Sequence, residues 1–382
     1  MKKEEEYILS KTMGNKRDQI RIGIIGTGVG VRTHLHGFRL FDGAEVVAIC
    51  GSSLCRSQEF ATKYKIPIAC ADYKELCDNP EIDFVCITSP NRFHYESTKY
   101  AISRNKHLIC EKPLSDKLEE INSLIDCSEN YSKIAVVSHQ LRFNPYIIKI
   151  KEMIDYGDLG EIYSVRFNQQ GSSFANADAP WYWSFDGNEG GGVRLAMASH
   201  LTDLIQFWFE NPRILNINGY LNPVTKKRID STGRVREVTA STVCTANINF
   251  ENELNVMYSI NAGSYMDYRF DINIFGTKGE LTFSLQDKII KYSRAKIGEK
   301  QIVSVDGVYP DEAENKVSIF SSSFRYFAPL IIKSIRTNDF SSIAHAASFK
   351  DAQYNYETLE AIKQSTNTGS NIIFDVGHNQ YV

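Results

Sequence analysis

The sequence predicts an α/β protein of two domains, a doubly wound parallel sheet followed by a mainly antiparallel sheet. Its 382 residues suit two domains at about 150 residues each. In the first part, apolar runs such as 19–26 and 83–88 alternate with segments of helical spacing, which is typical of buried parallel strands. In the second part, longer runs such as 161–170 and 237–250 alternate polar and apolar residues. That alternation indicates antiparallel strands with one face exposed to water or covered by a partner.

The composition is that of an ordinary globular protein. Its 43 basic and 46 acidic residues leave a net charge of −3, so nothing indicates binding to nucleic acid or to an anionic membrane. No uncharged apolar run approaches the roughly 18 residues of a membrane helix. The first residues contain no apolar stretch of the signal-peptide type, and none of the eight cysteines forms a CxxC pair. We therefore expect reduced thiols and a cytoplasmic protein.

A glycine-rich segment after the first strand has the pattern of a phosphate-binding turn. It opens the first helix, which is the context that the dinucleotide fingerprint requires. We expect Gly26 to make the tight turn and Gly28 to let the backbone approach a pyrophosphate, with Val29 and Gly30 at the anion-binding start of the helix. The third fingerprint position is Val31 instead of Gly or Ala, so helix and strand are expected slightly further apart. The sequence therefore predicts a Rossmann domain.

The end of the second strand indicates which nicotinamide dinucleotide is bound. An NAD-binding protein has Asp or Glu there, which accepts a hydrogen bond from the ribose 2′-hydroxyl. Here the strand ends in Gly51, Ser52 and Ser53, and Arg56 follows, without a carboxylate. Small hydroxyls and an arginine suit a 2′-phosphate. We therefore predict NADP, with NAD as the alternative if Arg56 is only a solvated residue of the first helical turn.

The change of pattern near residue 142 sets the domain boundary. We predict a flexible arm over 1–18, a dinucleotide-binding Rossmann domain over 19–142, and an α/β domain for substrate binding and oligomerisation over 143–382. Its C-terminal tail is a candidate to pack back on the first domain. Because half the positions of the antiparallel strands are apolar, we expect another subunit to cover the open sheet, in a homodimer or homotetramer.

Seven segments resemble, in order, the Gfo/Idh/MocA family of oxidoreductases, the group of glucose–fructose oxidoreductase and inositol dehydrogenase. They are GTGVGVRTH at 26–34, DFVCITSPNRFH at 83–94, CEKPL at 110–114, LRFNP at 141–145, GGGVRLAMASHLTD at 190–203, FGTKGEL at 275–281 and ASFKDAQYNYETLEAI at 347–362. The resemblance spans nearly the whole chain. It implies a Rossmann domain, then an α/β domain with a large open sheet. It also implies NAD(P)-dependent hydride transfer involving a sugar, sugar nucleotide or cyclic polyol.

A lysine follows a predicted strand at the carboxyl edge of the parallel sheet, where ligands bind in open α/β folds. There Lys112 can donate a proton to a carbonyl or hold an alkoxide while a hydride moves, and desolvation would bring its pKa toward the working range. Pro113 would fix the turn, with a cis bond as one option. The resemblance implies that Lys112 is catalytic and contacts cofactor and substrate, with Glu111 also beside the cofactor. The alternative is a surface lysine at a strand end.

The stretch after the fourth strand runs beside the cofactor in this family. The resemblance therefore implies that Ser89, Pro90, Asn91 and His94 contact the cofactor, with Pro90 and Asn91 on its nicotinamide-ribose side. For His94, packing against a helix is an equally good interpretation.

The helical segment after a triple glycine carries the second predicted catalytic residue. His200 and Asp203 lie one turn apart on one face. Many family members place an aspartate four residues before this histidine, but Ala196 stands here. The resemblance implies catalysis by Lys112 and His200, with Asp203 orienting the imidazole in the substrate site. A core histidine bonded to a backbone carbonyl is the alternative.

Four more residues are assigned to the substrate. Aromatic rings such as those of Trp181 and Tyr182 often stack on sugars, although they are also common in cores. The family places Arg142 and Asn144 near the substrate, and a hydrogen-bond network at the domain hinge is the alternative.

Three functions are compatible with these residues. The first is the NAD(P)-dependent oxidoreductase, and the second is an NAD-dependent glycosidase of the same fold that oxidises its substrate transiently. The third is a non-catalytic regulator that senses the cofactor or a sugar. Lys112 and His200 favour catalysis because a sensor needs no proton carrier, whereas Ala196 leaves the third open. The sequence contains no HExxH, EF-hand or Cys/His finger spacing, so we predict no metal.

Overall fold

The computed structural model describes residues 19–294, 300–309 and 318–374, which form two compact units. The first unit extends to Phe143 and also includes Ser318–Phe349. The second comprises Asn144–Val317 and the chain from Lys350 onward. The predicted arm over 1–18 lies outside the described residues. The chain therefore leaves the first unit after Phe143 and rejoins it for one later stretch.

The first unit contains the predicted parallel sheet, with six strands in the order β3-β2-β1-β4-β5-β6. The strands are β1 Ile20–Ile25, β2 Ala44–Cys50, β3 Ile68–Cys70, β4 Phe84–Ile87, β5 His107–Cys110 and β6 Ala135–Val137. All neighbouring pairs in this described sheet are parallel. β4 and β5 are buried at every position, as expected for strands covered on both faces. The strand order reverses between β1 and β4, which is where such sheets bind ligands.

The second unit contains a mixed, mostly antiparallel sheet in the order β16-β15-β14-β13-β7-β12-β11-β8-β17. Its strands are β7 Ile162–Gln170, β8 Ile214–Asn222, β11 Val243–Phe250, β12 Asn255–Asn261, β13 Arg269–Gly276, β14 Gly279–Ser284, β15 Ile289–Arg294, β16 Lys300–Val303 and β17 Ile372–Ile373, while β9 Lys227–Ile229 and β10 Val235–Glu237 form a separate antiparallel pair. β7 and β12 are parallel, and the other described pairs are antiparallel. The predicted fold class is confirmed.

Nine helices accompany these strands in the described part of the chain. They are α1, which is π-helical over Gly30–Leu35 and α-helical over His36–Phe38, α2 Leu54–Tyr64, α3 Tyr73–Asp78, α4 His94–Ser103, α5 Leu118–Ser128, α6 Pro145–Asp155, α7, which is π-helical over Arg194–Ala198 and α-helical over Ser199–Phe209, α8 Ile319–Thr337 and α9 Phe349–Thr368. Short 3₁₀ turns lie at Asn91–Phe93, Gln140–Phe143, Trp183–Phe185 and Ser341–Ile343. Within the described ranges, no helix is long and apolar enough to cross a membrane.

Helix α8 completes the hydrophobic core of the first unit, although it follows the antiparallel strands in the chain. Phe324 and Phe327 on this helix are fully buried. Phe324 packs edge-on against Phe38 of α1 with 5.3 Å between ring centroids, and Phe327 stacks on Phe143 at 3.9 Å. The parallel sheet and α1 thus depend for part of their covering on a segment that is distant in sequence.

One face of the second sheet is covered by helices of its own unit. Trp208 of α7 stacks on Phe167 of β7 with 6.0 Å between ring centroids, and Tyr146 of α6 stacks on Phe283 of β14 at 5.2 Å. The apolar positions of the alternating strands point to this side. Their burial therefore requires no second subunit.

The other face of the sheet is rich in amide side chains. On β11, Asn247 is exposed between two buried residues, and Asn249 accepts a hydrogen bond from Asn255 of β12 at 2.7 Å. The two strands beside β11 also carry exposed apolar side chains, Tyr220 on β8 and Met257 on β12. A subunit contact on this face would be largely polar, and the homodimer or homotetramer stays a prediction.

We expect Phe324→Ala to lower the free energy of unfolding by about 3–5 kcal/mol, because it leaves a cavity between α8 and α1. Urea denaturation followed by far-ultraviolet circular dichroism measures the change. Tyr265→Ala is the control, since Tyr265 is 87% exposed and its loss should change stability by less than about 0.5 kcal/mol. Equal stability of the two variants would show that α8 does not complete the core.

Candidate functional site

Two glycines after β1 lie against the end of β4. The N–H of Gly26 donates to the carbonyl of Cys50 at 2.7 Å, and the φ of Gly26 is +113°, a conformation that favours glycine. A Cβ on Gly26 would lie 2.4 Å from the carbonyl oxygen of Thr88, and one on Gly30 would lie 2.3 Å from the Thr88 hydroxyl. Gly30 therefore provides the close approach of helix and strand. Val31 points into the core and does not require the wider spacing that the sequence suggested.

Gly28 differs from its neighbours, because a Cβ there would meet no other atom within 4 Å. The turn thus leaves open space at the start of α1, where the first backbone N–H groups of a helix have no intrahelical acceptor. This space fits a dinucleotide pyrophosphate, which Gly26, Gly28, Val29 and Gly30 would hold through their backbone. The glycine turn is therefore consistent with the predicted cofactor.

The residues predicted to read the ribose lie together at the start of α2. The hydroxyl of Ser53 caps the helix by accepting a hydrogen bond from the N–H of Arg56 at 3.2 Å, and Ser52, Ser53 and Arg56 are all exposed. The guanidinium of Arg56 pairs with Glu59 at 2.8 Å and lies over the ring of Phe60. A cofactor phosphate would have to share this arginine with Glu59.

The next strand adds carboxylates that the sequence analysis did not consider. Cys70 at the end of β3 lies opposite Cys50 at the end of β2 in the register of these parallel strands. Asp72 and Glu75 follow Cys70 in the chain. Burial, Cys70 and then these two carboxylates raise the pKa of the Cys50 thiol to about 12. Their negative charge therefore acts at the end of β2 and opposes a phosphate there. The sequence feature that could have revealed them is their position just beyond the third strand.

Lys112 lies two residues beyond the end of β5, at the carboxyl edge of the parallel sheet. Its side chain is half-buried, and its peptide bond to Pro113 is cis. Burial lowers the pKa of Lys112 to about 8, and the neighbouring charge of Glu111 opposes this effect. The amine can therefore gain and lose a proton near neutral pH, as a general acid or base must.

Glu111 forms a buried pair with His34 of α1. The Nε2–H of His34 donates to Oε1 of Glu111 at 2.9 Å, and both residues are buried. Burial alone would raise the pKa of Glu111, but His34, Lys112 and Ser138 outweigh it, and the pKa is lowered. The sequence analysis did not single out this contact, because it joins two residues that lie 77 positions apart in the chain.

The segment after β4 is held by His94 at the start of α4. Nδ1 of His94 lies 2.6 Å from the Pro113 carbonyl oxygen and Nε2 lies 2.8 Å from that of Ser89. Burial alone would lower the pKa of His94, but Cys110 and the two carbonyls raise it to about 9. The charged ring therefore donates to both carbonyls, which favours the packing interpretation. Asn91 is partly exposed, and Pro90 beside it is exposed.

In the second unit, His200 and Asp203 lie one turn apart on α7 and are buried. Asn355 of α9 donates to the carbonyl of Ser199 at 2.7 Å and so ties the helix beside His200 to α9. Ala196 is exposed in the π-helical first part of α7, where an aspartate would have reached solvent. Irregular helical turns of this kind are frequent at functional sites.

The triple glycine before α7 packs against this chain's own backbone. A Cβ on Gly191 would lie 2.2 Å from the carbonyl oxygen of Ser184, and one on Gly192, whose φ is +88°, would lie 2.6 Å from the N–H nitrogen of Ser241. Approach to a ligand is therefore not needed to explain these glycines, so they no longer support a functional role for His200.

The aromatic residues at 181–183 differ in their contacts and exposure. Trp181 is fixed on the β9–β10 pair: its indole N–H donates to the carbonyl of Glu237 at 3.0 Å, and Arg236 lies over its ring. Tyr182 and Trp183 are each 48% exposed. Those two rings are therefore available to a ligand, whereas Trp181 has a structural contact.

Arg142 and Asn144 both form hydrogen bonds to the protein's own backbone. Arg142 is buried in the first unit and donates to the carbonyl of His345 at 3.3 Å. Asn144 caps α6 by accepting from the N–H of Tyr146 at 3.1 Å, one residue before Pro145 begins the helix. Both residues therefore have structural contacts, and a role toward substrate stays a prediction.

Arg228 on β9 is a residue that the sequence gave no reason to single out. It is buried and lies over the ring of Phe185, and its guanidinium donates to the carbonyls of Phe174, Asn176, Ala177 and Ala179. Arg228 therefore fixes the loop that leads to Trp181. Among the described residues, no group of three or more His, Cys, Asp and Glu side chains could hold a metal ion.

The first unit has the features of a dinucleotide-dependent oxidoreductase, namely an open glycine turn on a Rossmann sheet and, at the sheet edge, a lysine whose pKa is lowered to about 8. Residues 20–139 match the NAD-binding Rossmann fold of the GFO/IDH/MocA oxidoreductase family, and residues 147–282 match the GFO/IDH/MocA C-terminal domain. The chain belongs to the Gfo/Idh/MocA family of oxidoreductases. The resemblance and the predicted enzyme class are confirmed.

Several known proteins are similar to this chain. An uncharacterized oxidoreductase of Synechocystis is 27% identical over 268 residues, which cover 70% of this chain and 72% of that protein. D-glucoside 3-dehydrogenase of Escherichia coli is 28% identical over 204 residues, 53% of this chain and 57% of that protein. The solved structure of levoglucosan dehydrogenase with NADH and L-sorbose has a TM-score of 0.82 at 20% identity, over 93% of this chain and 99% of that one. The last similarity shows the fold.

We expect Gly28→Ala to weaken cofactor binding at least tenfold, because its methyl group would enter the space predicted for the pyrophosphate. The fold should be unchanged, since this Cβ meets no neighbour. Quenching of intrinsic fluorescence by NAD(P)H measures binding, and thermal melting measures stability. Gly30→Ala is the contrast, because its Cβ overlaps Thr88 and should lower the melting temperature. Unchanged cofactor affinity in Gly28→Ala would place the pyrophosphate elsewhere.

Proposed function

We propose that this protein is a nicotinamide-dependent dehydrogenase or reductase that acts on the carbinol or carbonyl carbon of a sugar, sugar nucleotide or cyclic polyol. The observation that carries the proposal is Lys112, a half-buried amine at the sheet edge with a pKa lowered to about 8. The carbohydrate class is supported by the name of the D-glucoside 3-dehydrogenase relative.

Lys112 acts on the proton of the substrate oxygen. In the oxidative direction, the neutral amine of Lys112 takes the hydroxyl proton as the carbon–hydrogen bond breaks, and in the reductive direction the ammonium returns it. The bound nicotinamide supplies the acceptor or donor of the hydride. Because the neutral amine is needed for oxidation, the oxidation rate should rise with pH through about 8.

His200 assists this proton transfer, and Asp203 orients its imidazole. The two residues share one face of α7 and are shielded from bulk water, which strengthens interactions between polar groups. Tyr182 contributes an exposed ring against which an apolar sugar face can pack. The family aspartate is absent at Ala196, so in our proposal the histidine works without that acid.

We expect Lys112→Met to abolish turnover and to leave cofactor affinity nearly intact, because the amine acts on the substrate oxygen. His200→Ala should lower the rate by about 10²–10⁴-fold, as is usual for loss of a general acid or base. Absorbance of the reduced nicotinamide during a screen of polyols and sugar nucleotides measures both. Lys117→Met is the control, since Lys117 is exposed and pairs with Glu120. Full activity in Lys112→Met would overturn the role of Lys112 as the proton carrier. An unmodified protein that binds the cofactor but turns over none of these compounds would favour a regulator.

For the cofactor we propose NADP. It is supported by the exposed Ser52, Ser53 and Arg56 at the start of α2 and by the absence of a carboxylate from residues 51–56. The charges of Asp72 and Glu75 act against it.

Arg56→Ala should weaken NADP binding by about 1–3 kcal/mol and spare NAD, because a charged hydrogen bond to the 2′-phosphate is lost. Equilibrium titration of both cofactors measures this difference. Lys63→Ala, at the far end of the same helix, is the matched loss of a positive charge and should change neither affinity. Tighter binding of NAD than NADP by the unmodified protein would contradict the assignment.

A further inference from the structure

A buried acid–histidine pair lies directly behind the proposed proton carrier. His34 is 0% exposed, and its Nε2–H donates to the Glu111 carboxylate at 2.9 Å. The ring of His34 packs on Phe324 with 4.2 Å between centroids, so it cannot turn away without disturbing the core. Glu111 is in turn the residue before Lys112. The pair therefore joins α1, which carries the glycine turn, to the strand end that carries the lysine.

The groups around Glu111 come from four parts of the first unit. His34 approaches from α1, Ser138 from the end of β6 and Lys112 from the same turn, and all three favour the charged carboxylate. Cys86 of β4 feels the charge of Glu111, which together with burial raises the pKa of its thiol. Nearby, the charged ring of His94 donates to the Pro113 carbonyl, one residue beyond Lys112. His34 is thus the imidazole that bonds the carboxylate directly.

A buried carboxylate is costly unless it is paired. Without His34, Glu111 would lose its hydrogen-bond donor on α1, and either protonation or a change of rotamer would remove the negative charge from beside Lys112. His36, two residues on in the same helix, is exposed and therefore does not replace His34 as the donor to Glu111.

We propose that His34 is a positioning residue that fixes the Glu111 carboxylate as a permanently charged neighbour of Lys112. The inference rests on the proposed function in that it takes Lys112 as the proton carrier. The direction of the effect on the pKa of Lys112 follows from the charge of Glu111. A negative neighbour stabilises the ammonium form, so removal of the charge or of its support makes Lys112 release its proton at lower pH.

The test measures the titration of the Lys112 amine itself, without substrate. The full-length protein is acetylated with limiting acetic anhydride over a pH series, and the modified Lys112 peptide is quantified by mass spectrometry. The unmodified protein should give a midpoint near 8. In Glu111→Gln and His34→Leu, the midpoint should fall by about one unit or more, as is usual for loss of an adjacent opposite charge.

Two further variants separate a positioning role from simple packing. His34→Gln keeps an N–H donor of similar reach and should restore the midpoint of the unmodified protein. His34→Asn is polar but too short to reach Glu111, and it should behave like His34→Leu. If His34→Leu fails to fold by circular dichroism, His34→Asn decides in its place. His36→Leu is the matched control on the same helix and should titrate normally.

The outcomes separate this inference from the proposed function. Equal midpoints in the unmodified protein, Glu111→Gln and the folded His34 variants would overturn it, even if Lys112→Met proves inactive. If the midpoints fall as expected but no carbohydrate supports turnover, the proposed function fails and the His34–Glu111 assignment stands. Where activity is found, the pH profile of oxidation should shift to lower pH together with the amine titration.

Discussion

The first unit depends on the close approach of α1 to the carboxyl end of β4. Gly26 and Gly30 permit this approach, since a side chain at either position would overlap Thr88. With α1 held there, Phe38 packs against Phe84 of β4, and His34 reaches Glu111. A larger residue in the turn would therefore disturb both the open space at the start of α1 and the support of the strand end that carries Lys112.

The chemistry of the sheet edge results from a balance between burial and charge. Burial favours the neutral amine of Lys112, and the Glu111 carboxylate favours the ammonium, so the pKa of Lys112 remains near 8. The carboxylate itself is stable in a buried place because His34 and Ser138 donate to it. His94 holds the carbonyls on both sides of the site in the same way, by donating from a charged ring. Glu111 and His94 at this edge therefore both have identified hydrogen-bond partners.

In the second unit, some of the predicted site residues have structural contacts, and others are exposed. Helix α7 is tied to α9 by Asn355 and packs on the sheet through Trp208, so His200 is held on a well-supported helix. Arg228 fixes the neighbouring loop through four backbone carbonyls. Beside these fixed elements, the Tyr182 ring packs edge-on against Phe185 and remains 48% exposed.

The strands, helices and glycine turn could be predicted from the sequence because their signals are local. Continuous apolar runs define β4 and β5, alternation defines β11 and β12, and a glycine pattern after the first strand marks the turn. Lys112 could be selected because it follows a predicted strand, which is local information, and because the segment CEKPL at 110–114 resembles the family. Contacts between distant residues left no such signal. The sequence of helix α8 has an ordinary helical pattern, which does not indicate the sheet that this helix covers.

By itself, then, the sequence determined the two sheets, the dinucleotide turn and the lysine at the strand end, since periodicity and glycine placement follow from neighbouring residues. Only the tertiary structure decided which groups surround these features. It paired Glu111 with His34 across 77 positions, brought the carboxylates after β3 to the end of β2, and assigned α8 to the first core. Those relations arise because burial requires each charge and apolar face to find a partner, and the partner is chosen by the fold and not by the adjacent sequence.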